Sequence, residues 1–301
     1  MENFKQHTEC LVSGSGKLKP MKGYEKHYLV RSYPLGFVFC SRIPTQEELI
    51  KHYEQYSRQN YLSPVTVKRY HELLNQFEKY RKTGKILDVG CGIGLFLIEA
   101  QKRGWEVYGT EYTDKAIEIC RSHRITMKQG KLDPDWFAPE TFDIVTSFEV
   151  MEHINNPVEE VRNINKILRT GGLFYFTTPN FNAVERYFLK SDYNVIGYPE
   201  HLSYYTKHTA NYLLSKNGFK KKKLRTTGIS LTRIRTSLNK NSREDYVSAT
   251  STDEMIRVSL EKNKLSVFLK RGINRVLSLF GAGSSLKGWY VKTQPAPGNK
   301  S

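Results

Sequence analysis

The sequence predicts an α/β fold, a mostly parallel sheet with helices on both faces. Three observations predict it. From Lys85 onward, short apolar runs alternate with helix-compatible segments. The first run, Ile86–Val89, opens onto a glycine turn of the form D-x-G-x-G-x-G, at Asp88, Gly90, Gly92 and Gly94. The second, Glu106–Thr110, is followed directly by an acid, Glu111.

Residues 1–45 hold short apolar stretches, Tyr28–Val30 and Gly36–Phe39, broken by Gly, Ser and Pro, and read as a small hairpin module. Residues 46–83 read as N-terminal helices, with acids Glu47 and Glu48 in a first turn and Leu73, Leu74 and Phe77 at helical spacing. The α/β core spans 84–228. Strand Ile86–Val89 leads to helix Leu95–Arg103, and strand Glu106–Thr110 to helix Thr113–His123. A short third strand, Ile125–Lys128, ends in the loop Gly130–Asp133. Strand Phe142–Phe148 leads to helix Pro157–Leu168, which Gly171-Gly172 is expected to close. Strand Leu173–Thr178 and helix Thr209–Lys216 follow. Residues 229–284 interrupt the rhythm as a basic, amphipathic helical insert, in which Leu265, Phe268, Leu269, Ile273, Val276, Leu277 and Phe280 recur at helical spacing. A last strand and tail occupy 285–301.

The chemistry starts at the glycine turn. With no Cβ in the way, a ligand can approach the backbone there. A dinucleotide fingerprint needs G-x-G-x-x-G, and Leu95 after Gly94 excludes it, and a dehydrogenase with it. A carboxylate at Glu111 can accept both hydroxyls of a ribose. Turn and acid together describe a nucleoside-bearing cofactor with no demand for pyrophosphate. The loop at Leu132 and Asp133 can offer backbone N–H and an acid to an adenine edge; a plain surface turn is the alternative.

These stretches resemble the class I S-adenosylmethionine-dependent methyltransferases, in particular the bacterial small-molecule group that includes ubiquinone-biosynthesis O-methyltransferases. The resemblance covers residues 84–220. It is carried by Ile86–Gly94, Tyr108–Glu111, Phe142–His153, Asn156-Pro157, Leu168–Gly172, Thr178–Asn180, Glu200–Leu202 and Asn217–Phe219. It implies a Rossmann-like fold and S-adenosyl-L-methionine as cofactor. By position it implies that Asp88, Gly90, Gly92 and Gly94 hold the methionine end and Glu111 the ribose. Tyr112 then lies against the adenine, Leu132 and Asp133 sit at its edge, and Phe148 offers backbone near the methionine amino group.

Glu152-His153 falls just after the fourth strand, beside the expected methyl group. An alcohol or phenol acceptor must lose a proton, and histidine titrates in the right range. His153 is the first candidate for general base, with structural packing as the alternative. His201 is a second base or acceptor ligand. Glu152 orients a histidine, binds a cation or serves structure. Tyr204 and Tyr205 read as pocket walls. No metal is expected. Many relatives begin with a zinc ribbon, but here its four positions are Cys10, Ser13, Ser32 and Leu35. Serine is a poor zinc ligand and leucine none. A metal-free scaffold held by packing is expected.

The chain has 301 residues, a net charge of +17 and four cysteines with no C-x-x-C pair. That argues against a disulfide framework and for a reducing, cytoplasmic setting. No apolar run is long enough to span a membrane, and residues 1–20 lack a signal-peptide core. The positive charge permits an acidic partner. Residues 264–280 carry basic residues beside an apolar stripe, so they pack on their own domain, touch an anionic membrane from its inner face or bind a partner. Lys220–Lys223 reads as a solvated strand edge. The expected function is methyl transfer to a small-molecule acceptor, most simply the hydroxyl of a sugar, a glycolipid intermediate or a related metabolite. A nucleic-acid methyltransferase is the alternative enzyme. It is disfavoured because Thr178-Pro179-Asn180 stands where amino-methylating enzymes of that type carry Asn/Asp-Pro-Pro-aromatic. A non-catalytic cofactor-binding protein is the third reading. Acceptor and oligomeric state are not encoded in any pattern found.

Overall fold

The computed structural model describes residues 4–45, 47–49, 62–229 and 264–297, together with positions 234, 237 and 238. Three short strands come first: β1 (Leu18–Pro20), β2 (Leu29–Ser32) and β3 (Val38–Cys40). They form an antiparallel sheet that ends on β9 (Ser203–Tyr204), a strand contributed from far along the chain. Cys10 and Leu35 are buried beside Phe37 and Phe39, in the same apolar cluster as the core residue Tyr205, and the Phe37 and Tyr205 rings lie 5.4 Å apart.

The large sheet has five parallel strands: β4 (Lys85–Val89), β5 (Glu106–Glu111), β6 (Thr126–Gln129), β7 (Phe142–Phe148) and β8 (Leu168–Pro179). β11 (Ser285–Lys292) runs antiparallel beside β8, and β10 (Phe219–Thr227) closes that side, giving the order β10-β11-β8-β7-β4-β5-β6. Lys220, Lys221 and Lys222 are exposed on the edge strand β10, where charged side chains discourage pairing with another chain.

Successive residues along the central strands alternate between two apolar layers, as a pleated sheet covered on both faces requires. Ile86, Ile144 and Leu173 face one layer and Leu87, Val145 and Phe174 the other. The first layer is completed by α1 (Pro64–Phe77), α2 (Leu95–Gln101) and α3 (Asp114–Ser122) through Leu74, Phe77, Leu97 and Ile117. The second is completed by α4 (Pro157–Ile167) and α6 (Lys207–Lys216) through Val161, Ile164, Leu213 and Leu214. Local signals set the starts of these helices. Ser63 accepts from the Val65 N–H with Pro64 in the first turn. Asn156 accepts from the Glu159 N–H. Thr206 and Thr209 form a reciprocal capping box.

Two expectations are corrected. Gly171-Gly172 does not close a helix: the chain turns extended at Leu168, and the pair lies inside β8 at a register shift against β7. A Cβ on Gly172 would meet the backbone oxygens of Arg169 and Asp143 at 2.9 Å, so glycine is required by close strand approach. α2 ends at Gln101 rather than Arg103. Of the insert, α7 (Lys264–Phe280) is described, while most of 230–263 lies outside the described residues, as does all of 50–61. Among the described residues, no helix is long and apolar enough to cross a membrane.

Candidate active site

Because β4, β5, β7 and β8 are parallel, their carboxyl ends share one edge of the sheet, where open α/β folds bind ligands. The glycine turn follows β4 there. Gly90, Gly92 and Gly94 all take positive φ, 67°, 57° and 75°, a conformation costly for any residue with a side chain. Space gives a second reason at two of them. A Cβ on Gly90 would lie 2.6 Å from Val150 Cγ2, and one on Gly94 would lie 2.6 Å from Ile125 Cδ1. The turn is laid onto β5: the Cys91 N–H donates to Thr110 O at 3.0 Å. Gly109 of β5 makes room for it, since a Cβ there would lie 2.6 Å from Cys91 Sγ.

Two buried carboxylates frame this turn. Glu111 Oε2 accepts from the Gly92 N–H at 2.9 Å, while Oε1 accepts from the Tyr112 N–H at 3.0 Å and the Thr113 hydroxyl at 3.0 Å. Asp88 accepts from Thr146 Oγ1 at 2.7 Å. Burial pushes its carboxyl up to about 7, partly offset by the Thr146 hydrogen bond. A cationic group brought beside Asp88 would favour its charged form.

The remaining expected cofactor positions lie around the same edge. The Tyr112 ring is exposed. Leu132 is buried, its carbonyl accepting from Asn163 Nδ2 at 3.1 Å, and Asp133 caps the short turn Pro134–Trp136 by accepting from the Asp135 N–H. The Phe148 ring points away into an aromatic group with Tyr70, Phe96 and Tyr175, leaving its backbone at the end of β7.

The structure brings Glu152, His153 and His201 together. Glu152 and His153 lie on a single helical turn, Met151–His153, right after β7. The two imidazoles stand edge to face with centroids 4.8 Å apart. His153 Nδ1–H donates to the Glu200 carbonyl at 2.8 Å, and His201 Nδ1–H donates to the Val195 carbonyl at 2.5 Å. A carbonyl can only accept, so Nδ1 carries a proton in both rings and, in a neutral imidazole, Nε2 holds the lone pair; His201 Nε2 also lies 4.0 Å from the Glu200 carboxylate. Glu152 is buried and accepts from Thr178 Oγ1 at 2.9 Å. One ligand-capable atom from each of the three lies within 4.8 Å of the others. The trio therefore has the chemistry of a proton-transfer centre and the donor set of a divalent cation site.

The N-terminal module positions the second histidine, a role no sequence pattern suggested. Cys40 of β3 donates its N–H to Leu202 O at 2.9 Å and its thiol to His201 O at 3.3 Å. The Leu202 N–H in turn donates to Glu152 O at 2.7 Å. The small sheet thus clamps the His201 loop against the Glu152 turn. Tyr204 and Tyr205 are fully packed; the Tyr205 hydroxyl reaches Met151 O at 3.5 Å.

Sequence reading also missed Glu160. It lines a small recess with Ser147, Val150, Met151, Ile154 and Tyr205. Both carboxylate oxygens are buried with no hydrogen-bond partner among the described residues, and burial pushes the group up to about 7. Its helical position, one turn before the apolar Ile164, was the available signal. Because the folded value lies above the ordinary 4.5, the charged form penalises the fold increasingly as pH rises from 4.5 through about 7. Glu160→Met is expected to stabilise the protein by about 3 kcal/mol above neutrality, from 1.36 kcal/mol per pH unit. Below 4.5 that gain should vanish. Urea unfolding at both extremes checks it; an equal effect at both would refute the ionisation account.

Comparison with known proteins adds the family. Residues 56–224 match the profile of a methyltransferase domain. The chain belongs to that family, the S-adenosylmethionine-dependent methyltransferases. Ubiquinone biosynthesis O-methyltransferase of Aliivibrio fischeri (strain MJ11) is 31% identical over 105 residues, which is 33% of this chain and 45% of the relative. The enzyme of that name from Idiomarina loihiensis is 34% identical over 108 residues, 33% of this chain and 44% of the relative. The match thus spans less than half the length of these curated relatives. Among solved structures, an S-adenosylmethionine-dependent methyltransferase from Archaeoglobus fulgidus superposes with TM-score 0.51 at 19% identity, over 82% of this chain and 100% of that one. Phosphoethanolamine N-methyltransferase 2 of Haemonchus contortus, in complex with S-adenosyl-L-methionine, gives TM-score 0.54 at 18% identity, over 85% of this chain and 63% of that one. These likenesses establish the fold. The cradle fits the cofactor of the family: a turn whose backbone is bare at Gly90, Gly92 and Gly94, flanked by two buried carboxylates.

Proposed function

We propose that this methyltransferase transfers a methyl group from S-adenosylmethionine to a hydroxyl of a small-molecule acceptor, on a sugar, a glycolipid intermediate or a related metabolite. The observation that carries the reading is the His153–His201 pair beside Glu152, at the same sheet edge as the glycine turn. When bound, the cofactor supplies an electrophilic methyl group on a sulfonium centre, with a neutral thioether as leaving group. The chain then has two tasks: to hold the acceptor oxygen in line and to take its proton. We assign the proton to His153 Nε2, His201 to orientation of the acceptor and second base, and Glu152 to orientation of the histidines.

On the cofactor side, we assign Asp88 and the glycine turn to the methionine end, the Phe148 backbone to its amino group and Glu111 to the ribose hydroxyls. Tyr112, Leu132 and Asp133 are assigned to the adenine. The names of the ubiquinone-biosynthesis relatives support an oxygen acceptor. We place the reaction in the cytoplasm, in keeping with four free thiols.

The test is transfer of tritiated methyl from labelled cofactor to a panel of free-hydroxyl sugars, glycolipids and phenols, each paired with its methyl ether. Label entering only the free hydroxyl is expected. Label entering RNA, or amines alone, would overturn the reading. Turnover is expected to survive a chelator. Loss restored by magnesium would move the trio from proton transfer to cation binding.

A further inference from the structure

The insert helix α7 is built the wrong way round for a core helix. At 100° per residue, Phe268, Leu269, Ile273, Val276, Leu279 and Phe280 fall within an arc of about 140°. An apolar arc of that width ordinarily faces the protein. Here these six side chains are between 53% and 82% exposed. The helix is attached instead through its polar side and its backbone. Asn274 Oδ1 accepts from the Gly228 N–H at 2.7 Å. The Leu277 carbonyl accepts from Thr226 Oγ1 at 2.9 Å, and the Ser278 carbonyl from Lys207 Nζ at 2.8 Å.

Charge accompanies the exposed arc. Arg271 and Arg275 line one border and Lys270 the other, and 264–280 contains no Asp or Glu. A second exposed aromatic pair, Tyr187 and Phe188, sits on the short helix α5 (Val184–Leu189). Its first N–H donates to the carbonyl of Ala282, two residues past α7, at 2.9 Å. The chain between α7 and β11 is also held by Asn180 Nδ2, which donates to Gly281 O at 2.8 Å and Gly283 O at 2.7 Å. Asn180 directly follows β8, two residues beyond Thr178, the partner of Glu152. The apolar surface therefore adjoins the edge of the sheet that carries the candidate base.

We propose that the outward apolar face of α7, with Phe188 beside it, docks on an anionic lipid bilayer. A wide apolar arc edged only by cations is the surface that partitions into the headgroup boundary of such a membrane. A second copy of this chain would bring the same cations together and is disfavoured by their repulsion. The docking stands on α7 itself, not on the methyl-transfer reading. It sets the Glu152–His153 end of the sheet near the lipid surface, where a lipid-linked hydroxyl would be presented.

Sedimentation with vesicles, without cofactor or acceptor, tests it. The full chain is expected to pellet with vesicles of equal parts phosphatidylcholine and phosphatidylglycerol, more weakly with phosphatidylcholine alone, and more weakly at high salt. Phe268→Ser with Leu279→Ser should lower the partition coefficient by about tenfold or more and leave the unfolding midpoint unchanged. Arg271→Glu with Arg275→Glu, a variant that keeps the apolar face, should abolish the preference for the anionic vesicles. Absence of pelleting with anionic vesicles, or binding undiminished in both variants, overturns the proposal. So does a vesicle-free dimer that the serine variant dissolves, which would give the face to a second copy.

Discussion

His153→Gln is expected to lower turnover by about a hundred- to ten-thousand-fold, the usual contribution of a positioned general base. Cofactor affinity and the unfolding midpoint should stay at wild-type values. Glutamine is the informative replacement because its amide N–H can still donate to the Glu200 carbonyl, as His153 Nδ1–H does at 2.8 Å. The loop contact is kept and only the basic nitrogen is removed. A purely structural histidine would tolerate this change, so retained turnover would sink the assignment. The pH profile gives a second readout. If His153 is the base, wild-type turnover should rise with pH as the base is freed of its proton, and that rise should disappear in the variant. His201→Gln should weaken acceptor binding more than turnover if His201 orients the acceptor. A larger effect on turnover than His153→Gln would exchange the two roles.

Glu111→Gln carries the second large effect. The carboxylate is buried and holds the Gly92, Tyr112 and Thr113 N–H groups together with the Thr113 hydroxyl. An amide can keep one oxygen on Tyr112 and Thr113, but its NH₂ would then face the Gly92 N–H, donor against donor. Hydrogen bonds to a charged group are worth about 1.5–3 kcal/mol each, so if Glu111 receives the ribose as proposed, losing its charge should weaken cofactor binding by roughly ten- to a hundredfold or more. The glycine turn itself should loosen, at a cost of about 1–3 kcal/mol for the orphaned Gly92 N–H. Calorimetric titration with cofactor, well below the unfolding midpoint, separates the two losses. Wild-type affinity in this variant would remove Glu111 from the binding site.

The features legible in the sequence were those encoded within about ten consecutive residues. The glycine turn is one, because positive φ at Gly90, Gly92 and Gly94 is a local demand that only glycine meets cheaply. The alternation of strands and helices is another, and parallel pairing then carried Asp88, Glu111 and Phe148 to one edge without further information. The Gly171-Gly172 pair misled for the same reason. Glycine after a helix commonly ends it, and only the pairing of β8 with β7 reveals that the close approach of another strand is what excludes a Cβ.

The candidate base site was half legible. Glu152 and His153 are neighbours in sequence, so their shared turn was expected. Their meeting with His201 depends on hydrogen bonds that join Glu152 to Leu202 and Cys40 to Leu202, contacts across more than a hundred residues in the second case. Glu160 reads as a solvent-facing acid near a helix start. It is buried because α4 turns that position toward Met151 and Tyr205.

By itself, then, the sequence determined the class of fold, the glycine turn and the order of elements. Periodicity and glycine geometry are properties of short segments, and they survive wherever the segment is placed. Tertiary structure alone decided that the N-terminal hairpin module would hold the His201 loop, and that Glu160 would be buried with no hydrogen-bond partner among the described residues. It also decided which way α7 would turn. An amphipathic pattern fixes that a helix has an apolar face but not what that face meets. Here the polar bonds of Asn274, Thr226 and Lys207 took the inner side, and the apolar arc was left facing outward.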